Sequence, residues 1–201
     1  LEARLDAPLP AYVYGSAPLL ALERERLFRS AWQVVGHVDE FAAAGDYLTS
    51  FWPWERALIV RDGRGELHAL RNACCRQPHA LLETRTGHVA GKLHCEAHGL
   101  TYDLAGRHLA GATPGDLTPL ELTRQGPLLM VRSPVHAVPG AAANPNPSPL
   151  PIRTWPKLAP GRFETLSVDA DWKLIVEQWL DEESPRRIFL FPSQLLDLDA
   201  D

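Results

Sequence analysis

Asn72-Ala73-Cys74-Cys75-Arg76-Gln77-Pro78-His79 and, further along, Cys95-Glu96-Ala97-His98-Gly99 are the two stretches that decide how this chain reads. The second offers a thiolate and an imidazole with two residues between them, then a glycine that permits a tight loop. The first offers one or two thiolates and a histidine. Each stretch lies between strand-like segments, so two loops can present one sulfur and one nitrogen each to a shared centre. A [2Fe–2S] cluster with two Cys on one iron and two His on the other requires that arrangement.

Working outward, the neighbouring segments are short and β-like. Ala57-Leu58-Ile59-Val60, the turn Asp62-Gly63-Arg64-Gly65 and Leu67-His68-Ala69-Leu70 have the form of a hairpin. Thr101 to Arg107 predicts a second hairpin, Trp32 to Val35 and Tyr47 to Phe51 further strands, and Pro127 to Arg132 a last one. Glycine turns at this spacing predict a mainly β domain, a small antiparallel sandwich or barrel. Ahead of it, Pro18 to Trp32 predicts a helix with Ser16 as N-cap and Leu19, Leu22, Leu27 and Trp32 on its stripe. Residues 134–160 hold a run of prolines, including Pro145, Pro147, Pro149 and Pro151, and read as a semi-extended linker. Beyond it, Asp171 to Leu180 predicts an amphipathic helix and Ile188 to Phe191 a strand. The expected partition is therefore a β-domain at 1–133, a linker at 134–160 and a short α+β appendage at 161–201.

The chain's 201 residues carry a net charge of −5, from 25 Asp+Glu against 20 Lys+Arg, which argues against a nucleic-acid backbone as partner. No apolar run approaches the length of a membrane span, and the charged opening does not read as a secretory signal. Three cysteines cannot form a disulfide framework. They point to a reducing, cytoplasmic compartment and to a metal site.

The quoted residues resemble the Rieske-type iron–sulfur domain at the start of ring-hydroxylating oxygenase large subunits. Leu9 to Tyr14, Leu27 to His37, Ala44 to Tyr47, Val60 to Asp62, Leu70 to Asn72 and His98 to Asp103 all look like that family, as does Trp172 to Leu180. The resemblance implies a Rieske-like β-fold, a [2Fe–2S] electron-transfer function, and an oxygenase or reductase subunit, or a second copy of the chain, as partner. Its pattern is C-x-H, a gap of about fifteen to seventeen residues, then C-x2-H.

The chain departs from that pattern in the first pair. With Cys75 as first ligand, Gln77 stands at the histidine position with seventeen residues between it and Cys95; with Cys74, Arg76 stands there with eighteen between. Arg offers no lone pair to a metal, and Gln only an amide oxygen. His79, with fifteen residues between it and Cys95, is the substitute ligand, giving Cys75, His79, Cys95 and His98 as the expected set. Two alternatives stay open: zinc on Cys74, Cys75, Cys95 and His98, or a clusterless Rieske-fold binding subunit in which the cysteines are small buried residues. The mononuclear iron that the resemblance places in a following catalytic domain needs two histidines and a carboxylate. No histidine follows His136, so no such iron, and no hydroxylation by this chain alone, is expected.

Overall fold

The computed structural model describes residues 9–28, 31–52, 55–77, 79–111, 115–134 and 168–180. The chain divides into two compact units, one built from Leu1–Ala21 with Gly161–Asp201 and the other from Leu22–Pro160. The linker at 134–160 and the strand expected at Ile188 to Phe191 lie outside the described residues, apart from Pro134.

In the first unit, helix α1 (Tyr12–Gly15) and the larger part of α2 (Ala17–Glu23) come from the N-terminal segment and α3 (Trp172–Leu180) from the C-terminal one. Ser16 caps α2, its Oγ accepting from the Leu19 N–H at 3.3 Å. Asp171 caps α3 through the Lys173 N–H at 2.9 Å. Tyr14 Oη donates to Glu177 Oε1 at 2.6 Å, which ties α1 to α3. The helix expected over Pro18 to Trp32 is shorter: α2 ends at Glu23, a π-helical turn covers Arg24–Phe28, and a strand begins at Gln33. The wider π turn breaks the 3.6-residue phase, and Leu22 and Leu27 are exposed instead of lining a buried stripe.

The second unit is mainly β, with ten strands in three antiparallel sheets among the described residues. β1 (Gln33–His37), β9 (Glu121–Gln125) and β10 (Leu128–Arg132) form one sheet in the order β1-β10-β9. β2 (Asp46–Trp52), β3 (Glu55–Arg61), β4 (Leu67–Arg71) and β5 (Thr86–His88) form the second, ordered β4-β3-β2-β5. β6 (Leu93–Cys95), β7 (Leu100–Tyr102) and β8 (His108–Ala110) form the third in sequence order.

The uninterrupted apolar run of β3 explains the layering, because a strand buried on both faces has no polar positions to alternate. Leu58 and Val60 join one core with Tyr47, Leu70, Leu93, Leu100 and Tyr102, reaching the third sheet. Ala57 and Ile59 join a second core with Val35, Leu48, Ala69, Leu129 and Val131, reaching the first. The four-stranded sheet is thus the middle layer, and its Leu58 face packs toward the strands that carry Cys95.

Asp62 closes the β3–β4 turn. Its Oδ1 accepts from the Arg64 and Glu66 N–H groups at 2.8 and 2.9 Å, and its Oδ2 lies 2.9 Å from His68 Nε2. The His68 hydrogen bond first, then those two amides, overcome burial and hold the carboxyl at about 2, below its ordinary 3.8. A depressed carboxyl contributes stability that is present above its unfolded value and lost as pH falls through its folded one. Asp62→Asn should therefore flatten the decline of urea midpoint between about pH 4 and 2. An unchanged acid limb would refute this role.

Candidate metal centre

Two loops carry the cysteines and histidines. The first runs from the end of β4 to β5 and holds Cys74 and His79; the second is the tight β6–β7 turn, from Cys95 at the end of β6 to His98. In the first, the Cys74 N–H donates to the His79 carbonyl at 3.0 Å and the His79 N–H to the Gln77 carbonyl at 2.8 Å, folding the loop back on itself. Asn72, fully buried, anchors its base: Oδ1 accepts from the Leu81 and Leu82 N–H groups at 3.0 and 3.1 Å, and Nδ2 donates to the Leu82 carbonyl at 2.7 Å. Arg71 pairs in a two-pronged way with Glu55 at 2.9 and 2.8 Å, fixing the end of β4. In the second loop, the Gly99 N–H returns to the Cys95 carbonyl at 2.8 Å. Gly99 sits at φ 63°, a left-handed conformation open to glycine without strain.

These loops bring four donors together. Cys74 Sγ, His79, Cys95 Sγ and His98 place one ligand atom each within 4.8 Å of all the others. His98 Nδ1 lies 3.4 Å from Cys74 Sγ and 3.5 Å from Cys95 Sγ, while His79 Nε2 lies 3.2 Å from Cys95 Sγ. The two imidazole rings are tilted by 44° with centroids 5.1 Å apart. Both sulfurs are buried and both histidines half-buried.

Cys75, expected among the ligands, stands outside this group. It is exposed, and its Sγ lies 3.3 Å from Tyr102 Oη. Gln77 is exposed as well. Neither the anchoring by Asn72 nor the Tyr102 contact follows from the sequence, although Asn72 belongs to the stretch that carries the family resemblance.

The local field differs at the two sulfurs. Burial opposes ionisation of Cys74, but the backbone N–H groups of Arg76 and Gln77 point at its sulfur and hold the thiol below its ordinary value. Burial and the neighbouring Cys74 push Cys95 up, partly countered by the His98 and Ala97 amides. Burial, then the positive charge of Arg76, lowers His98 and favours the neutral imidazole that a metal takes. Burial and the Cys75 contact raise the Tyr102 hydroxyl.

Residues 31–120 match the Rieske [2Fe-2S] domain family. Residues 31–120 form a Rieske-type domain. The chain is 35% identical over 135 residues to the glycine betaine monooxygenase oxygenase subunit of Chromohalobacter salexigens, a match covering 63% of this chain and 30% of that protein. It is 29% identical over 189 residues to the carnitine monooxygenase oxygenase subunit of Acinetobacter baumannii, covering 86% of this chain and 50% of that protein. The Rieske-type domain is thus homologous to oxygenase large subunits, and the chain spans half or less of the length of these two relatives. Among solved structures, a quaternary ammonium Rieske monooxygenase in its apo form superposes with a TM-score of 0.59 at 23% identity, covering 65% of this chain and 41% of that one. Naphthalene 1,2-dioxygenase from Rhodococcus sp. gives 0.57 at 22%, covering 71% and 33%. Both show the same fold.

The donors fit a Rieske [2Fe–2S] cluster in kind and origin: two thiolates and two imidazoles, one of each from either loop. From Cys74 to His79 the spacing is C-x4-H, where the Rieske pattern has C-x-H. The residues after Leu180 lie outside the described residues. Among the described residues, no helix is long and apolar enough to cross a membrane.

Proposed function

We propose that the Rieske-type domain is the electron-transfer module of an oxygenase-type system, with a [2Fe–2S] cluster held by Cys74 and Cys95 through sulfur and by His79 and His98 through nitrogen. The supporting observation is the convergence of those four side chains from two loops. When bound, such a cluster accepts and passes on single electrons at a potential raised by its imidazole ligands. The chain's own residues do the rest. Asn72 fixes the base of the first loop. The Arg76 and Gln77 amides favour the Cys74 thiolate, and the Ala97 and His98 amides act likewise on Cys95. Packing of both cysteines with Leu93, Leu100 and Tyr102 keeps water from the sulfurs.

Oxygenase or reductase subunits, or further copies of this chain, are the proposed partners, in a reducing compartment such as the cytoplasm that suits three free thiols. The glycine betaine and carnitine monooxygenase relatives favour a system acting on quaternary ammonium compounds. A second reading, a Rieske-fold binding subunit without a redox cluster, is favoured by the altered C-x4-H spacing. Anaerobic reconstitution of the full chain with iron and sulfide decides between them. The electron-transfer reading expects two irons and two sulfides per chain and the broad visible absorption of a two-histidine cluster. Colourless protein that retains neither would leave the second reading.

A further inference from the structure

We infer that Cys74, His79, Cys95 and His98, as arranged here, form a tetrahedral site for one soft divalent ion of the zinc class, and that this ion competes with assembly of a two-iron cluster. The occupancy rests on the four-ligand assignment proposed above and is independent of redox activity.

Distances between donors carry it. A zinc ion with bonds of about 2.3 Å to sulfur and 2.0–2.1 Å to nitrogen places tetrahedral S and N ligands roughly 3.6 Å apart. Three of the four S···N separations here are 3.2, 3.4 and 3.5 Å, and the fourth, Cys74 to His79, lies within 4.8 Å. In a Rieske cluster the thiolates bind one iron and the imidazoles the other. Each sulfur is then separated from each nitrogen by the iron pair, and no imidazole lies near both sulfurs. His98 Nδ1 does: it stands nearly equidistant from Cys74 Sγ and Cys95 Sγ, the relation that ligands of one common ion have. A cluster must spread the two loops; a single ion need not.

The chemistry selects the ion. Two thiolates with two neutral imidazoles balance a 2+ charge in a partly buried site. Sulfur and imidazole donors without a carboxylate favour zinc over magnesium or calcium. Four protein ligands with no open position make the site structural in type. Cys75, held at the Tyr102 hydroxyl, is not a member, so the set differs from a three-cysteine zinc site.

Cobalt(II), which reports ligand geometry in its visible spectrum, is the probe, titrated into the full chain after metal removal under reducing conditions, with zinc as competitor. The expected result is one cobalt per chain with a tetrahedral spectrum and a charge-transfer band of two thiolates, displaced by stoichiometric zinc. Excess zinc should also raise the melting temperature. His79→Ala should weaken cobalt binding more than about 100-fold, since loss of an outer-shell partner alone costs 10–100-fold. Circular dichroism establishes that the variant is folded, and His98→Ala provides a second ligand deletion should it not be. Absence of cobalt binding, an octahedral spectrum, or a band that survives both deletions would overturn the inference. Tetrahedral cobalt binding by a chain that never assembles iron and sulfide would remove the electron-transfer reading and keep this one. A two-iron cluster that forms equally fast with and without excess zinc, in a chain that binds no cobalt, would do the reverse.

Discussion

Asn72→Ala should destabilise the β-unit by about 3–5 kcal/mol and remove most of its metal-binding capacity. The side chain is fully buried and makes three hydrogen bonds, two from the Leu81 and Leu82 amides and one to the Leu82 carbonyl. Truncation to alanine leaves those three backbone groups without partners, and each buried polar group so stranded costs about 1–3 kcal/mol. Alanine also vacates volume beneath a closely packed loop. Because the same bonds pin the base of the loop that carries Cys74 and His79, the loss should exceed that of an ordinary surface hydrogen bond and should couple stability to metal affinity. Urea unfolding of the chain gives the first quantity and cobalt or iron retention the second. An Asn72→Ala protein with an unchanged midpoint would refute the anchoring role. Asn72→Asp keeps the two acceptor contacts but sets a buried carboxylate oxygen against the Leu82 carbonyl, so it should also destabilise the unit.

The layout of the β-unit was legible because its signals are local. The run Ala57 to Val60 is apolar at every position, and that is what a strand between two cores requires; Asp62 and Gly65 supply the turn that follows. The hairpin over Thr101 to Arg107 is likewise set by Asp103, whose Oδ1 accepts from the Ala105 and Arg107 amides at 2.9 Å each. Helix α2 was legible at its start, where Ser16 is a cap, but not at its end, because a π turn leaves no distinct residue pattern. The site was legible as a pair of loops and as a set of residue types. Which of two adjacent cysteines faces the histidines was not, since consecutive residues in an irregular loop follow no period. Backbone path decides it: the Cys74 N–H bond to the His79 carbonyl turns Cys74 inward, and Cys75 is left on the outer side against Tyr102.

That difference yields the sharpest contrast between neighbouring residues. Cys74→Ser should abolish metal retention, whether the metal is reconstituted iron and sulfide or cobalt, while Cys75→Ser should leave it within about twofold of the parent. Cys74 is buried beside His98 Nδ1 and its sulfur receives the Arg76 and Gln77 amides, so the thiolate is both placed and stabilised. Serine at that position keeps the shape but offers a hydroxyl in place of a soft thiolate, a poor match to zinc or iron–sulfur chemistry. Cys75 is exposed, and what it would lose is a single contact to Tyr102, which serine's hydroxyl can replace. The first loop's main anchors, Asn72 and the Cys74–His79 backbone bond, are untouched by either change, so both variants should fold and the comparison reads ligation alone. Equal loss of metal in the two variants would mean that both thiols bind. Loss in Cys75→Ser alone would move the first ligand one residue along the chain, and with it the whole C-x4-H assignment.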